Sequence, residues 1–250
     1  MTKLSRFIIA LLCAFSLHAS PPPGMVVQTW HYDAQTHAVM LRVLNTSGKD
    51  ITGWTIKIKE TYDNGQTNEH EYSTDMLQGM ISSQLAGGQP GEDTFQANTS
   101  QDIPIGVAHP VSNFESTITV VLYADKTGET TDQDAFDRMV STRKVAASTM
   151  QKASEVIKKA MLTSPGNAHE VAATALDQIR AEWKAQHHTT FDLDTGLLEG
   201  LARDMRDAPK VAANHGSSVT DYLNAFVAEH DRRASAVSEH ASITKIGGAK

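Results

Sequence analysis

The sequence predicts an α+β protein, in which an antiparallel immunoglobulin-like β-sandwich is followed by a C-terminal segment of about four helices. Up to about Asp125, apolar and polar residues alternate with a period of two, which is typical of strands that cover a core on one side. After about Thr130, apolar residues recur at helical spacing. This order of strands and then helices argues against alternating βαβ units.

The N-terminal residues are typical of a bacterial export signal. Lys3 and Arg6 precede an apolar run from residue 7 to residue 17, which is too short to span a bilayer. Ala19 stands at position −1 of a cleavage site, so we predict a signal peptide over residues 1–19 and a secreted or periplasmic protein. The only cysteine, Cys13, lies inside this segment. A processed chain would therefore contain no disulfide.

Residues 20–128 are predicted to form the sandwich of about seven short strands. Three strands are clear, and each places a set of apolar residues on one face: Val39, Leu41 and Val43; Trp54, Ile56 and Ile58; and Ile118, Val120, Leu122 and Ala124. A first strand is predicted at 25–32, and weaker patterns predict strands at 68–74 and 76–84. The turn Asp63-Asn64-Gly65 is a strong hairpin signal.

Residues 129–250 are predicted to be helical. Thr131 to Asp134 forms a capping-box start for a long first helix, which Ser164-Pro165-Gly166 ends. Asn167 opens a second helix, residues 197–205 mark a third, and Ser218 with Asp221 opens a fourth. Each of these helices is amphipathic and must bury one face. Arg143 interrupts the apolar stripe of the first helix.

The charge distribution argues against two classes of partner. The chain has 22 Lys and Arg residues and 29 Asp and Glu residues, a net charge of −7. Residues 21–125 contain twelve acidic and four basic side chains, a net charge of −8. Because nucleic-acid binding requires a basic surface, we expect no nucleic-acid partner. No apolar run after residue 19 reaches membrane length, so we expect no stable membrane insertion after signal removal.

The sequence contains no catalytic motif, and we predict no cofactor. The candidates for a metal site are His187, His188, Asp192 and Asp194, whose nitrogen and oxygen ligands would suit zinc. The alternative interpretation is a solvated loop, in which histidines complement the end of one helix and Asp194 caps the next. His169-Glu170 begins like a metalloprotease helix, but Ala173 stands where the second histidine ligand is required.

Residues 44–54 and the turn at 63–65 resemble a pattern found in uncharacterised secreted bacterial proteins. In that pattern one strand ends in Asn-x-Ser-Gly-Lys, as at Asn45 to Lys49, and the next strand begins Ile-Thr, as at Ile51. A late strand ends near Tyr-Ala-Asp-x-Thr, as at Tyr123 to Thr127. The resemblance covers about half of the mature chain. It implies a sandwich with a helical tail and no known activity.

The same stretch also resembles cellulose-binding sandwich modules, with Trp54 at the position of a characteristic Trp. Such modules bind sugars on a row of exposed aromatic rings. Trp54 shares a register with Ile56 and Ile58, which predicts that it lies in the core. The candidate residues for an aromatic ligand platform are therefore Trp30, Tyr32 and Tyr62.

Two functional hypotheses follow from these patterns. The first is a non-enzymatic interaction or structural protein whose partner is an unknown protein. The alternative is a carbohydrate-binding module with a glycan partner. A metal-dependent hydrolase built on residues 187–194 is a more distant alternative.

Overall fold

The computed structural model describes residues 24–78, 94–187 and 193–247, and within these ranges the protein has a mixed α+β fold. The predicted fold class is confirmed at this level. The regular elements in chain order are β1 (Met25–Asp33), β2 (Ala38–Asn45), β3 (Ile51–Tyr62), β4 (Thr67–Asp75), β5 (Ser100–Gly106), β6 (Val111–Tyr123), β7 (Thr127–Thr130), α1 (Gln133–Thr163), α2 (Ala168–His187), α3 (Leu193–Asn214), α4 (Val219–Glu239) and β8 (Thr244–Lys245). The predicted signal peptide lies outside the described residues.

The strands form two sheets that share one hydrophobic core. The smaller sheet has the order β1-β2-β5, and the larger has the order β4-β3-β6-β7-β8. All pairs are antiparallel except β7 with β8. As the alternation predicted, one core cluster contains the inward side chains of β2 and β3, which are Val39, Leu41, Val43, Trp54, Ile56 and Ile58.

One prediction about β6, the last clear strand of the predicted sandwich, is wrong: its apolar side chains do not all lie on one face of the sheet. Ile118, Val120 and Leu122 do not share a face, because the register against β3 shifts between Thr55 and Ile56 and leaves Thr119 as an extra residue in β6. Ile118 therefore belongs to the core between the sheets, whereas Val120 and Leu122 pack under α1. The bulge reverses the alternation halfway along the strand.

The long first helix was predicted with nearly its observed bounds. The side chain of Asp132 accepts a hydrogen bond from the amide of Ala135, which caps the N-terminus of α1. Ser218 caps α4 in the same way, through the amide of Asp221. The four helices bury a second cluster, which includes Ala153, Ile157, Leu176, Leu201, Met205 and Phe226.

The helical segment packs directly on the five-stranded sheet. Phe136 and Met139 of α1 contact Val120 and Leu122 on the outer face of β6. After α4 the chain returns to the same sheet, where the amide of Thr244 donates to the carbonyl of Lys126 at 2.9 Å. The C-terminal residues thus add a strand beside β7, which itself straddles the predicted boundary at residue 128. Among the helices that the structure describes, none has both the length and the apolarity to cross a membrane.

Candidate functional site

A charged cleft lies on the outer face of the five-stranded sheet, on the side away from the shared core. Its first groove has a volume of about 420 Å³ and runs over the middle of β3, β4 and β6. The residues that line this groove are Lys57, Ile58, Lys59, Glu69, His70, Glu71, Glu115, Ser116 and Thr117. The floor is therefore a rigid sheet that presents charged side chains at alternate positions.

A second groove of about 380 Å³ continues the first one between β4 and α1. Glu71 lines both grooves, and Arg138, Met139 and Thr142 supply the wall from the helix. The helix lies close to the sheet because Gly53 has no side chain. A Cβ atom at this position would lie 2.7 Å from Cε of Met139 and 3.0 Å from Nη2 of Arg143.

Ion pairs hold the side chains of the cleft in place. Nζ of Lys57 lies 2.5 Å from Oδ2 of Asp132, and Nη2 of Arg138 lies 2.6 Å from Oε2 of Glu71. The hydrogen bond from Lys57 lowers the pKa of Asp132 below its usual range. The N-terminal part of α1 is thereby tied to the sheet at two points, one at the N-cap residue Asp132 and one at Arg138.

Two acidic side chains of the cleft, Glu69 and Glu115, make only weak contacts with their neighbours. Nζ of Lys59 lies 3.9 Å from Glu69, whose side chain is 72 % exposed. Glu115 accepts a hydrogen bond of 3.3 Å from the side-chain nitrogen Nδ2 of Asn113 at the surface. These two carboxylates remain accessible to a ligand, because exposed pairs of this kind are weak.

A buried polar cluster lies at the end of β3 and β4. The side chain of Glu60 is only 2 % exposed, and its Oε2 accepts a hydrogen bond of 2.6 Å from the hydroxyl of Tyr62. This bond raises the pKa of Tyr62. Nε2 of His70 lies 3.8 Å from Oε1 of Glu60, and no hydrogen bond reaches that oxygen within the described part of the chain. The cluster therefore ties β4 to β3 on the core side of the sheet, opposite the cleft.

The predicted metal candidates cannot be placed as a site. His187 ends α2 and Asp194 lies in the first turn of α3, whereas His188 and Asp192 lie outside the described residues, as do the side chains of all four. Over residues 24–78, 94–187 and 193–247, no three His, Cys, Asp or Glu side chains are grouped so that they could hold a metal ion. The metal site on residues 187–194 stays a prediction.

The three candidate aromatic residues all contact the core between the sheets. Trp30 is half-buried and packs on Phe114, with a ring-centroid distance of 5.7 Å. Tyr32 is also half-buried, and Tyr62 is only 8 % exposed. A flat sugar-binding platform requires exposed ring faces, so this packing does not favour one. The platform itself remains an untested prediction.

The core position predicted for Trp54 is confirmed. Its side chain is 2 % exposed and lies in the cluster between the sheets, with its ring 5.6 Å from that of Tyr72. The position that resembles cellulose-binding modules is therefore occupied by a structural residue.

The turn that carries the other resemblance is organised by a buried asparagine. The side-chain nitrogen of Asn45 lies 2.7 Å from the carbonyl of Lys49, 3.0 Å from that of Phe95 and 3.1 Å from that of Gln96. Its Oδ1 accepts hydrogen bonds from the amide and the hydroxyl of Ser47. Asn45 and Ser47 thus hold a loop and a turn together, and their role is structural.

Comparison with known proteins adds no family assignment. The chain matches no protein-family model, no curated protein and no solved structure. The resemblance to secreted bacterial proteins therefore stays a prediction.

The residues of the cleft were not identified from the sequence, although a signal for them was present. The turn at residues 63–65 pairs Lys57 with Glu71 and Lys59 with Glu69 directly across the hairpin. Counting outward from Asp63-Asn64-Gly65 would have found both pairs of opposite charge. No comparable signal indicated Arg138, because its contact with Glu71 depends on how α1 packs.

Proposed function

We propose that this chain is an exported, non-enzymatic binding protein that takes a protein partner in the charged cleft. The observation that carries the proposal is the continuity of the two grooves at Glu71, across a sheet and a helix that are fixed to each other. A cleft whose floor is a sheet and whose wall is a helix packed on that sheet has its main chain in position before a partner binds, which limits the conformational entropy lost on binding. The strand order supports the further proposal of an immunoglobulin-like sandwich as the scaffold.

The lining of the cleft suits a polar macromolecular surface better than a small apolar ligand. Small-molecule pockets are mostly apolar and enclosed. Here charges of both signs alternate along an open groove, with Lys57 and Lys59 on β3 and Glu69 and Glu71 on β4. Charge patterns of this kind set partner choice and register.

Site-specific photo-cross-linking in cells that export the protein tests the proposal. A photoreactive residue replaces Thr117 or Ser73, which are exposed and line the cleft, and a matched control replaces Gln151 on the exposed face of α1. We expect adducts with one partner from both cleft positions and none from position 151. The purified partner should then bind the wild type at least tenfold more tightly than the double variant Lys59→Glu, Glu115→Lys. Equal cross-linking at all three positions, or equal binding by the variant, would contradict a binding role for the cleft.

Export is part of the proposal, and it has its own measurement. N-terminal sequencing of protein recovered from the periplasm or the medium should begin at Ser20, after removal of residues 1–19. Recovery of the chain only from the cytoplasm, with Met1 retained, would exclude an extracytoplasmic role.

Glycan binding stays the alternative function that the sequence raises. It predicts that soluble cellulose oligosaccharides bind the mature protein and that Trp30→Ala abolishes the binding. Titration calorimetry with the wild type and this variant decides it. A flat titration of the wild type would remove the alternative without affecting the cleft.

A further inference from the structure

The outer strand of the larger sheet, β4, borders the cleft from Glu69 to Asp75. Among the strands that the structure describes, β3 is its only neighbour. Thr67, Asn68, Glu69, Glu71 and Ser73 are exposed. An edge strand of this kind presents main-chain donors and acceptors at every second residue, which an added strand can pair with.

The two faces of β4 differ in chemistry. Glu69, Glu71, Ser73 and Asp75 alternate with Asn68, His70, Tyr72 and Thr74, and the first set faces the cleft. Tyr72 packs on the core, and His70 lies beside the buried Glu60. The cleft face of the edge is therefore acidic, while the opposite face is anchored to the protein.

This charge pattern disfavours pairing between two copies of the chain. Antiparallel pairing of β4 with itself about its centre would bring the glutamates of one copy close to those of the other. Like charges that face each other across a strand pair are destabilising. A strand with basic side chains at alternate positions would instead place each cation beside Glu69 or Glu71. Within the described part of the chain, the hydrogen bond from Arg138 goes to Oε2 of Glu71, and Oε1 can accept another donor.

We infer that the partner contributes an extended segment with basic residues at alternate positions, which adds to the edge of β4 as a further strand. This inference rests on the proposed function, because the added strand would form one wall of the cleft. Main-chain hydrogen bonds supply the sequence-independent part of the affinity. The pairing of lysine or arginine with Glu69 and Glu71 supplies the choice of partner and fixes the register.

A synthetic peptide provides the test. The probe is a nine-residue peptide that alternates threonine with lysine and is blocked at both ends. Its binding to the mature protein is measured by fluorescence anisotropy and by amide NMR shifts. We expect saturable binding, with shifts concentrated in residues 67–75, and affinity that falls as salt rises. A peptide with glutamate in place of lysine should not bind.

Two variants and one modified peptide separate the parts of the inference. The double variant Glu69→Lys, Glu71→Lys should weaken binding of the lysine peptide at least tenfold. The double variant Glu155→Lys, Glu182→Lys makes the same change in net charge at exposed sites on α1 and α2 and should alter binding less than twofold. A lysine peptide methylated on alternate main-chain nitrogens should lose binding. Equal binding of the methylated and parent peptides would overturn strand addition.

Failure of the inference is distinguishable from failure of the proposed function. If no lysine peptide binds but cleft-specific cross-links form, the cleft is used by a partner that does not add a strand. If neither occurs, both proposals fall. Glu69 and Glu71 lie at the surface, so we expect the double variant Glu69→Lys, Glu71→Lys to fold like the wild type. Its circular dichroism spectrum and its unfolding midpoint verify this.

Discussion

The guanidinium of Arg143 and the carboxylate of Asp75 form an ion pair that joins α1 to the end of β4. Nε of Arg143 lies 2.7 Å from Oδ2 of Asp75, and the arginine side chain is completely buried. Its Nη2 donates to Oγ1 of Thr52 at 3.0 Å, and its Nη1 donates to the carbonyl of His240 at 3.2 Å. One side chain thus connects the larger sheet, the first helix and the end of the last helix.

Removal of one member of this pair should be strongly destabilising. Arg143→Met leaves the carboxylate of Asp75 in a mostly buried position without its arginine, so we expect a loss of about 3–5 kcal/mol in the free energy of unfolding. Urea denaturation measures the effect. Arg138→Met, which breaks an exposed ion pair with Glu71, should cost under about 1 kcal/mol.

The double variant Asp75→Asn, Arg143→Met tests the coupling between the two charges. Its loss of stability should be smaller than the sum of the two single losses, because the double variant removes both charges of the pair together. Additive losses would show that the two side chains act independently and would contradict the ion pair as the cause.

The buried asparagine at the end of β2 offers a second prediction. Asn45→Asp keeps the size of the side chain but replaces its N–H donors with an oxygen that faces the carbonyls of Lys49, Phe95 and Gln96. We expect a loss of about 2–4 kcal/mol in the free energy of unfolding. The same change at Asn224, which is exposed on α4, is the control and should cost under about 0.5 kcal/mol. Equal effects at both positions would contradict the structural role of Asn45.

His230 makes the folded protein less stable as pH falls below neutrality. Its ring is 2 % exposed and stacks on Phe226 at 4.7 Å, and neither ring nitrogen has a hydrogen-bond partner within the described residues. Burial lowers the pKa of His230 from 6.5 to about 4. Between these values the unfolded chain binds a proton that the folded chain does not, so stability is lost as pH falls from 6.5 to about 4.

The variant His230→Phe should remove this loss. The free energy of unfolding of the variant minus that of the wild type should be about 3 kcal/mol larger at pH 4 than at pH 7. Thermal unfolding of the wild type and the variant across this range measures the difference. A constant difference between His230→Phe and the wild type at all pH values would refute the assignment.

Asp204 gives the stability a pH dependence of the opposite sign to that of His230. Burial raises its pKa from 3.8 to about 6, and the nearby carboxylate of Asp207 adds to the rise. The unfolded chain therefore releases this proton first, and stability is lost as pH rises from 3.8 to about 6. Asp204→Asn should be more stable than the wild type by about 1–3 kcal/mol at pH 7 and should match it near pH 3.5. A variant that is less stable than the wild type at pH 7 would contradict this burial cost.

The β3–β4 hairpin shows how far the cleft could be predicted from local sequence. The turn at Asp63-Asn64-Gly65 and the alternation on either side of it determine that Lys57 lies opposite Glu71. Both signals are local. The register of the hairpin depends on the length of the turn, and the direction of each side chain depends on the pleat of the strand. The wall formed by Arg138 depends on contacts between residues 67 positions apart. Such contacts leave no periodic trace in the sequence.

Strands β5, β7 and β8 were not predicted, and the strand predicted at 76–84 is wrong in its described part, which forms the 3-10 helix Met76–Gln78. The reasons for β5 and β8 differ. β5 contains Pro104, which breaks the strand pattern but is tolerated because β5 lies at the edge of its sheet. β8 has only two residues, and it becomes a strand because α4 delivers the chain beside β7.

The sequence by itself determined the mixed α+β class, the order of strands before helices, the bounds of α1 and the inward faces of β2 and β3. These features follow from periods of two and of about 3.6, which neighbouring residues impose. Only the tertiary structure decided that β6 changes face at Thr119, that Arg143 is buried, and that α1 and β4 enclose a cleft. Each of these features depends on which parts of the chain, distant in sequence, pack together. A charged side chain is buried only where an ion-pair partner lies beside it, and a strand buries both faces only where a second layer packs on its outer face.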